Sequence, residues 1–343
     1  MENHVTDTSP PLQHWPTLVN QPVSILEGGL INATWAVGDP PRGVVQRLHA
    51  IFAPEVNEDI AAITAHLKRR GMPSPELLRT TAGELSVLDA EGACWRALSW
   101  VEGTTIHAMD TLDRARAAGT LVGRWHAAVD DLDHAFHFTR SGVHDTEAHM
   151  ASLVSALDAH PHHRLRDVAA PLMDKVLALW ERWDGDTDAP TRICHGDLKI
   201  SNLRFSADGQ RDCLLDLDTM GRLSLDVEIG DAWRSWCNRR GEDLTHAHFD
   251  PEIMEASMRG YLSERPLSRE ERAPLPGGVE RICLELSARF LTDTLHESYF
   301  GWNPEAAPTR GEHNLLRAQG QMRLAESVRE QRASLERILN ALD

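Results

Sequence analysis

The chain has 343 residues, 41% hydrophobic and 25% charged, with 23 glycines and 18 prolines spread along it, the composition of a globular protein able to bury a sizeable core. Its 35 Lys+Arg against 52 Asp+Glu give a formal charge of −17, a field that repels phosphate backbones and anionic lipid and excludes nucleic acid and membrane surfaces as expected partners. No basic stretch followed by an apolar one opens the sequence, and no run of about 18 apolar residues follows, so no signal peptide or membrane span is expected and the protein is read as cytoplasmic.

The 5 cysteines, Cys94, Cys194, Cys213, Cys237 and Cys283, form no CxxC pair and are expected as reduced, buried thiols. The 18 histidines show no HExxH or similar ligand spacing, and solvated or locally bonded imidazoles are expected.

Residues 1–20 are polar and carry proline, an arm of low order unless packing ties it down, and regular structure is expected from Val23. Residues 32–37 and 43–48 alternate around the turn-rich stretch 38–41, which predicts a hairpin. Val56, Ile60, Ile63 and Leu67 then mark one face of a helix that Gly71 and Pro73 close. Residues 85–88 and 95–98 bracket a turn at 89–92 and predict a second hairpin. After Gly103 the pattern becomes helical, as in Leu121, Val122, Trp125, Val129 and Leu132, and it stays so to the end except for one β-like island at 193–217. The expected fold is α+β and two-lobed: a small sheet-rich lobe over 21–99, a hinge at 100–103, and a larger helical lobe over 104–343, with a ligand in the cleft.

The island reads Ile193-Cys194-His195-Gly196-Asp197-Leu198-Lys199-Ile200-Ser201-Asn202, runs to Gly209, and returns through Leu214-Leu215-Asp216-Leu217-Asp218-Thr219. Asn202 and Asp216 each stand seven residues from Gly209, so a turn over 207–209 sets them opposite each other at a hairpin's open end. A carbonyl oxygen and a carboxylate together suit Mg²⁺ on a nucleotide, which takes hard oxygens, few from protein. Asp197 is placed to receive the proton of an incoming hydroxyl, and Lys199 to reach the transferring phosphoryl group. A lone Asp, Asn or His is most often a cap, a turn residue or a packed core residue. The ordered set HxDLKxxN, hairpin and Asp has instead the spacing of the catalytic loop and metal-binding Asp of protein kinases and their small-molecule relatives. His195 is assigned a scaffolding role.

That order locates the remaining parts. Gly28 and Gly29, ahead of Asn32, suit a glycine turn that offers N–H groups to phosphates, or an ordinary turn. Residues 44–47 fall where a protein kinase has its strand Lys, and Arg47 is expected to supply that charge, with Glu58 or Asp59 of the next helix as its acidic partner unless both simply face solvent. Trp100, Val101 and Glu102 are the expected hinge, offering backbone groups to adenine. Asp218 shares Asp216's side of the pleat and is expected to support it.

These residues resemble the aminoglycoside phosphotransferase and choline kinase-like superfamily, and within it the N-acetylhexosamine 1-kinases, over most of the chain from about Ile25. The similarity to that subgroup is carried by GGLINATW (28–35), WRALSWVEGTT (95–105), LDLDT (215–219), IGDAWR (229–234), RFLTDTL (289–295) and HNLLRAQGQMRL (313–324). The resemblance implies a protein-kinase-like fold and ATP- and Mg²⁺-dependent phosphorylation of the anomeric hydroxyl of a hexosamine, giving a sugar 1-phosphate. It also implies that Arg289 and Tyr299 contact the sugar, that Arg234 joins them or orients the loop, and that Asp231 holds the catalytic loop's backbone. The chain departs from the subgroup at Gly196 and Leu198, where those kinases carry Asn and Thr, and over 295–299, which is one residue shorter.

Transfer to another hydroxyl, of an aminoglycoside, an amino alcohol or a different sugar, is the alternative, because a fold alone selects no substrate. Residues 219–240 mix Arg222, Arg234, Arg239 and Arg240 with acids, which fits a neutral sugar better than a cationic acceptor. A catalytically silent nucleotide binder has no physical need for Asp197, Lys199, Asn202 and Asp216 together.

Overall fold

The computed structural model describes residues 9–26, 31–187, 189–241 and 243–342, so Gly28 and Gly29 lie outside the described residues. The chain divides into two compact units, Met1–Glu102 with Asp133–Thr139, and Gly103–Leu132 with Arg140–Asp343. The first boundary lies between Glu102 and Gly103, and the short stretch 133–139 belongs to the smaller unit.

In the smaller unit, alternating apolar and polar residues form strands β1 (Val23–Ile25), β2 (Ala33–Gly38) and β3 (Pro41–Arg47), the predicted first hairpin being β2–β3 with Trp35 opposite Val45. Helix α1 (Val56–Arg69) follows, then β4 (Val87–Leu88) and β5 (Cys94–Ser99), and the antiparallel sheet has the order β1-β2-β3-β5-β4. Strand parity splits this sheet into two different faces. Trp35, Val37, Val45, Trp95 and Ala97 share one apolar cluster with Trp15 and Leu18, and Trp35 stacks on Trp95 at 5.3 Å. The polar N-terminal arm is thus tied down in its described part: Trp15 is fully buried and its indole N–H donates to the Leu78 carbonyl at 2.9 Å. Burying a Leu-sized side chain alone contributes about 1.5–3 kcal/mol. On the other face, α1 packs through Asn57, whose Nδ2 lies 3.8 Å from Cys94 Sγ. The α1 residues Val56, Ile60, Ile63 and Leu67 are all buried, as their spacing requires.

The larger unit contains β6 (Thr104–Thr105), α2 (Leu112–Val129), α3 (Thr146–Ala159), α4 (Arg166–Trp180), β7 (Thr191–Cys194), β8 (Leu203–Phe205), β9 (Cys213–Leu214), β10 (Gly221–Ser224), α5 (Leu225–Trp236), α6 (Pro251–Glu264), α7 (Arg269–Arg272), α8 (Leu275–His296) and α9 (Arg310–Asn340). The β-like island resolves into β7 paired with β10, and β8 paired with β9 and β6. Helix α5 is buried from Leu225 to Trp236 without a break, and the island rests on it. Helices α2 and α6 touch backbone to backbone: a Cβ at Gly119 would come within 1.7 Å of the Ser257 carbonyl oxygen, so only glycine fits. All five cysteines are buried, and no disulfide joins them among the described residues. Among the described residues no helix is long and apolar enough to cross a membrane.

Candidate active site

The loop after β7 hangs from α5. His195 is fully buried, and its Nε2 donates to the Leu215 carbonyl at 2.8 Å. The backbone N–H groups of His195 and Gly196 donate to the two oxygens of Glu228, at 2.8 and 2.9 Å. Burial works against ionising Glu228, and the bond from His126 at 3.3 Å together with those from the loop prevails, holding its carboxyl below the usual glutamate range. Ser235 Oγ accepts the Ile200 N–H at 3.0 Å, and the Trp236 indole donates to the Leu198 carbonyl at 2.8 Å.

One expectation changes here. Glu228, not Asp231, holds the loop's backbone; Asp231 accepts from Arg234 Nε at 2.9 Å, and its Oδ2 has no hydrogen-bond partner among the described residues. Glu228 had no sequence signal of its own, being one of three acids, with Asp226 and Asp231, in the helical run 225–236. Gly196 also has a structural reason: its φ is +79°, and a Cβ there would stand 2.4 Å from the Thr219 carbonyl oxygen. Leu198 is fully buried, so its side chain belongs to the core beneath the loop.

Held this way, the loop brings its polar side chains together. Lys199 Nζ lies 2.6 Å from Asp197 Oδ2 and 3.9 Å from Asp216 Oδ2. Asn202 Nδ2 donates to Asp197 twice, to its carbonyl at 2.8 Å and its Oδ2 at 2.9 Å. The hairpin register pairs Leu203 with Leu214, so Asn202 faces Leu215, whose N–H donates to the Asn202 carbonyl at 2.8 Å. Asp216 therefore sits one residue beyond the position expected from symmetry about Gly209. There the backbone enters the left-handed region, φ 59° and ψ 61°, a conformation rare outside glycine that ends the strand and redirects the carboxylate.

The electrostatics separate the two aspartates. Burial raises the Asp197 pKa, but the bonded Lys199 ammonium and the charge of Arg234 outweigh it and bring the group down to about 2. Asp216 moves the other way: burial, with Asp218 and Asp197 adding negative charge nearby, outweighs Lys199 and raises it. Lys199 itself is raised, because the two carboxylates overcome its burial. A carboxylate raised first by burial and then by neighbouring acids is one that an added cation would relieve. Asn202 spends its amide N–H₂ on Asp197 and keeps its oxygen, so Asn202 and Asp216 offer the hard-oxygen pair that a nucleotide-bound divalent ion requires.

The substrate-side candidates all lie in the larger unit. Arg234 is buried, and its charge reaches Asp197. Arg289 on α8 stands 3.8 Å from Glu285 and 5.6 Å over the Phe300 ring. Glu285 is fully buried between His144 Nδ1, at 3.1 Å, and Thr146 Oγ1, at 2.8 Å. Tyr299 is 41% exposed and its hydroxyl accepts from Arg140. The segments 289–295 and 313–324 acquire a role that the sequence did not disclose. Asp293 accepts the backbone N–H groups of Ser298, Tyr299 and Phe300, each at 2.9 Å, and Asn314 of α9 donates to the same carboxylate at 2.8 Å. The pair Asp293–Asn314 thus sets the turn that presents Tyr299.

The nucleotide-side candidates are dispersed across the smaller unit. Asn32 is buried and accepts the His49 N–H at 2.9 Å. The Trp100 N–H donates to the Arg42 carbonyl at 3.3 Å, and Glu102 is exposed at the division between the units. Arg47 shares its sheet face with Val45, 6.0 Å from the Trp95 ring and 4.0 Å from Asp89. It does not pair with α1: Glu58 is exposed, and Asp59 is buried against residues 134–138. The α1-facing side instead carries Gln46 and Arg96, Gln46 Oε1 accepting from Arg96 at 2.7 and 2.9 Å and Asn57 Oδ1 at 3.5 Å.

An Asp bonded to a lysine and to an amide, with a second carboxylate 3.9 Å from that lysine, is a set of residue types that protein-kinase-like phosphotransferases use, here on a loop that rests on a buried helix. The family model described as the phosphotransferase enzyme family matches residues 22–267, and the chain belongs to that family, with a protein-kinase-like fold. The chain is similar to homoserine kinases of Methylobacterium nodulans, 26% identical over 67% of this chain and 66% of that one, and Neisseria meningitidis, 23% identical over 77% and 81%. A match to the Gluconobacter oxydans homoserine kinase, 32% identical, covers 34% of this chain and 33% of that one, so the chain spans less than two thirds of the first relatives it matches. Among solved structures, a microcompartment-associated aminopropanol kinase superposes with a TM-score of 0.62 at 19% identity over 95% of this chain and 96% of that chain. An amicoumacin kinase solved with AMP-PNP, Ca²⁺ and amicoumacin superposes with the same TM-score of 0.62 at 13% identity, over 91% and 90%.

Proposed function

We propose that the protein transfers the γ-phosphoryl group of ATP, with Mg²⁺, to a hydroxyl of a small polar acceptor, and that this acceptor is the anomeric hydroxyl of a hexosamine. The observation that carries the transfer is the convergence of Lys199 Nζ, at 2.6 Å, and Asn202 Nδ2, at 2.9 Å, on Asp197 Oδ2, with Asp216 3.9 Å from the same lysine. Asp197 orients the acceptor hydroxyl and takes its proton as the oxygen attacks the γ-phosphorus; the bond from that phosphorus to the β–γ bridging oxygen breaks, and ADP leaves with the electron pair. Asn202 and Asp216 hold the divalent ion, which when bound neutralises charge on the nucleotide phosphates. Lys199 offsets charge on the transferring group, and the loop's suspension from Glu228, Ser235 and Trp236 supplies the fixed geometry on which this chemistry depends.

The hexosamine rests on the subgroup motifs and on Arg234, Arg289 and Tyr299 within the larger unit. A second reading, an amino alcohol or a homoserine-like amino acid, is favoured by the names of the relatives and by Asp231, whose buried, unpartnered Oδ2 suits an ammonium group. A panel of N-acetylglucosamine, N-acetylgalactosamine, glucosamine, galactose, homoserine and 1-amino-2-propanol, assayed with ATP and Mg²⁺ and read by ³¹P NMR, separates the two. A 1-phosphate on an N-acetylhexosamine is the expected product. Turnover confined to homoserine or the amino alcohol replaces the acceptor and leaves the transfer intact.

A further inference from the structure

We infer that Asp59, His134 and His137 form a binding site for a divalent transition-metal ion, zinc by its chemistry, within the smaller unit. Asp59 on α1 is buried, and its Oδ1 lies 2.8 Å from His134 Nε2 and 3.1 Å from His137 Nδ1. All three donor atoms lie within 4.8 Å of one another. A tetrahedral zinc ion with bonds of about 2.0–2.1 Å holds its donors about 3.3 Å apart. The ion therefore enters by spreading the two hydrogen-bonded contacts by roughly half an ångström or less, displacing the imidazole protons between them. Two imidazoles and one carboxylate are donors that zinc accepts and that magnesium, which keeps to oxygen, does not favour.

The carboxylate is oriented independently of the imidazoles. The His137 N–H donates to Oδ1 and the Phe138 N–H to Oδ2, both at 2.9 Å, which is the outer support that metal-ligating carboxylates use. These bonds, with those of the two imidazoles, hold the Asp59 carboxylate in place. Phe136 stands against His134 at 5.1 Å, and Phe52 meets Phe138 edge-on at 6.1 Å, lining one side with aromatic rings. The His137 side chain is 56% exposed and leaves the fourth position to water. Two backbone N–H groups and His134 already satisfy Asp59 as a structural anchor; the exposed second imidazole on the same oxygen is what an anchor does not need. No ligand spacing marks the site because His134 and His137 lie 75 and 78 residues beyond the third ligand. A bound ion staples residues 134–137 to α1.

The test uses the full chain, stripped with chelator and free of nucleotide and Mg²⁺. Titration with Co²⁺ as the spectroscopic probe is expected to give one equivalent with the intense visible bands of a tetrahedral site, and Zn²⁺ is expected to displace it in competition with a chromophoric chelator. His137→Ala and His134→Ala are each expected to weaken Zn²⁺ at least tenfold, and Asp216→Ala to retain it. The His137→Ala variant, altered at an exposed side chain, is expected to unfold at the wild-type temperature in chelator and to lose the rise in that temperature that Zn²⁺ gives the wild type. Absence of stoichiometric binding, an unaltered site in His137→Ala, or loss of the site in Asp216→Ala overturns the inference.

Discussion

The loop 195–202 of the larger unit carries half-buried charge and the strand pair β3–β5 of the smaller one carries a buried arginine, and they satisfy it in opposite ways. In the loop, Lys199 and Asn202 both bond Asp197 within six residues, while the backbone hangs from α5 at Glu228, Ser235 and Trp236. In the strand pair, Arg96 finds Gln46 across the sheet and Asn57 on α1, partners 50 and 39 residues away. The loop's side chains are therefore free to serve a substrate once the backbone is fixed, whereas Arg96 is consumed in holding strand to strand and strand to helix. Damage to the first should appear in kcat, and damage to the second in stability.

The largest expected effect is that of Asp197→Asn, which keeps size and removes the proposed base: kcat falls by about 10²–10⁴, and the unfolding midpoint at neutral pH falls as well, by a much smaller factor, because the ionised carboxylate's pairing with Lys199 is lost. Steady-state kinetics with chemical denaturation on the same samples checks both halves, and a turnover within threefold of wild type breaks the comparison. Glu228→Gln tests the suspension itself. It removes the charge on which two N–H groups and His126 converge, and a loss of about 2–3 kcal/mol in urea unfolding is expected, accompanied by a fall in kcat with little change in either KM. Arg96→Met is expected to lose about 1–3 kcal/mol by leaving Gln46 Oε1 without its donor, whereas Arg47→Met, paired only loosely with Asp89 at 4.0 Å, changes stability by about 0–1 kcal/mol. The same pair of variants locates the nucleotide-side cation: a KM for ATP that rises more in Arg47→Met than in Arg96→Met would restore Arg47 to the phosphates.

The contrast also explains what could be read in advance. The loop was legible because its chemistry is contiguous, and spacing alone placed Asp197, Lys199, Asn202 and Asp216 in one cluster, with an error of one residue in register at Asp216. Arg47 was assigned to α1's side because alternation pairs it with Val45 but does not say which face the helix covers; Trp15 and Leu18, in a stretch that looked like a polar arm, cover that face instead. Glu228 and Asp293 escaped for a related reason. Each acts on backbone N–H groups, and a hydrogen bond from a backbone leaves no mark in the identity of the residue that donates it.

The pH dependence sharpens the loop's half of the comparison. The folded Asp197 titrates at about 2, below the roughly 3.9 of an unfolded aspartate, so its contribution to stability is complete above about pH 4 and is lost as the pH falls toward 2. Lys199 is raised, so its share is complete below about pH 10 and is lost as the pH rises through its folded pKa. Between these limits the pair contributes a constant amount. Urea midpoints measured from pH 2 to pH 5 are expected to fall less steeply in Asp197→Asn than in wild type, and an acid limb of kcat/KM near pH 5 is expected to belong to a group other than Asp197.

The smallest expected effect concerns Tyr299. Its phenol is exposed and accepts from Arg140, while its position comes from the backbone bonds that Ser298, Tyr299 and Phe300 give to Asp293. Tyr299→Phe removes one hydroxyl and leaves that turn intact, so stability is expected to stay within about 0.5 kcal/mol of wild type. If the hydroxyl meets the acceptor, KM for the acceptor rises severalfold with kcat and the KM for ATP unchanged, the pattern of a bond made equally in ground and transition states. Asp293→Asn acts on the same tyrosine through the backbone, and is expected to raise the acceptor KM further while lowering stability. An order reversed, with the phenol mattering more than the turn, would make Tyr299 a member of the contiguous chemistry rather than a residue that the larger unit's backbone carries into place.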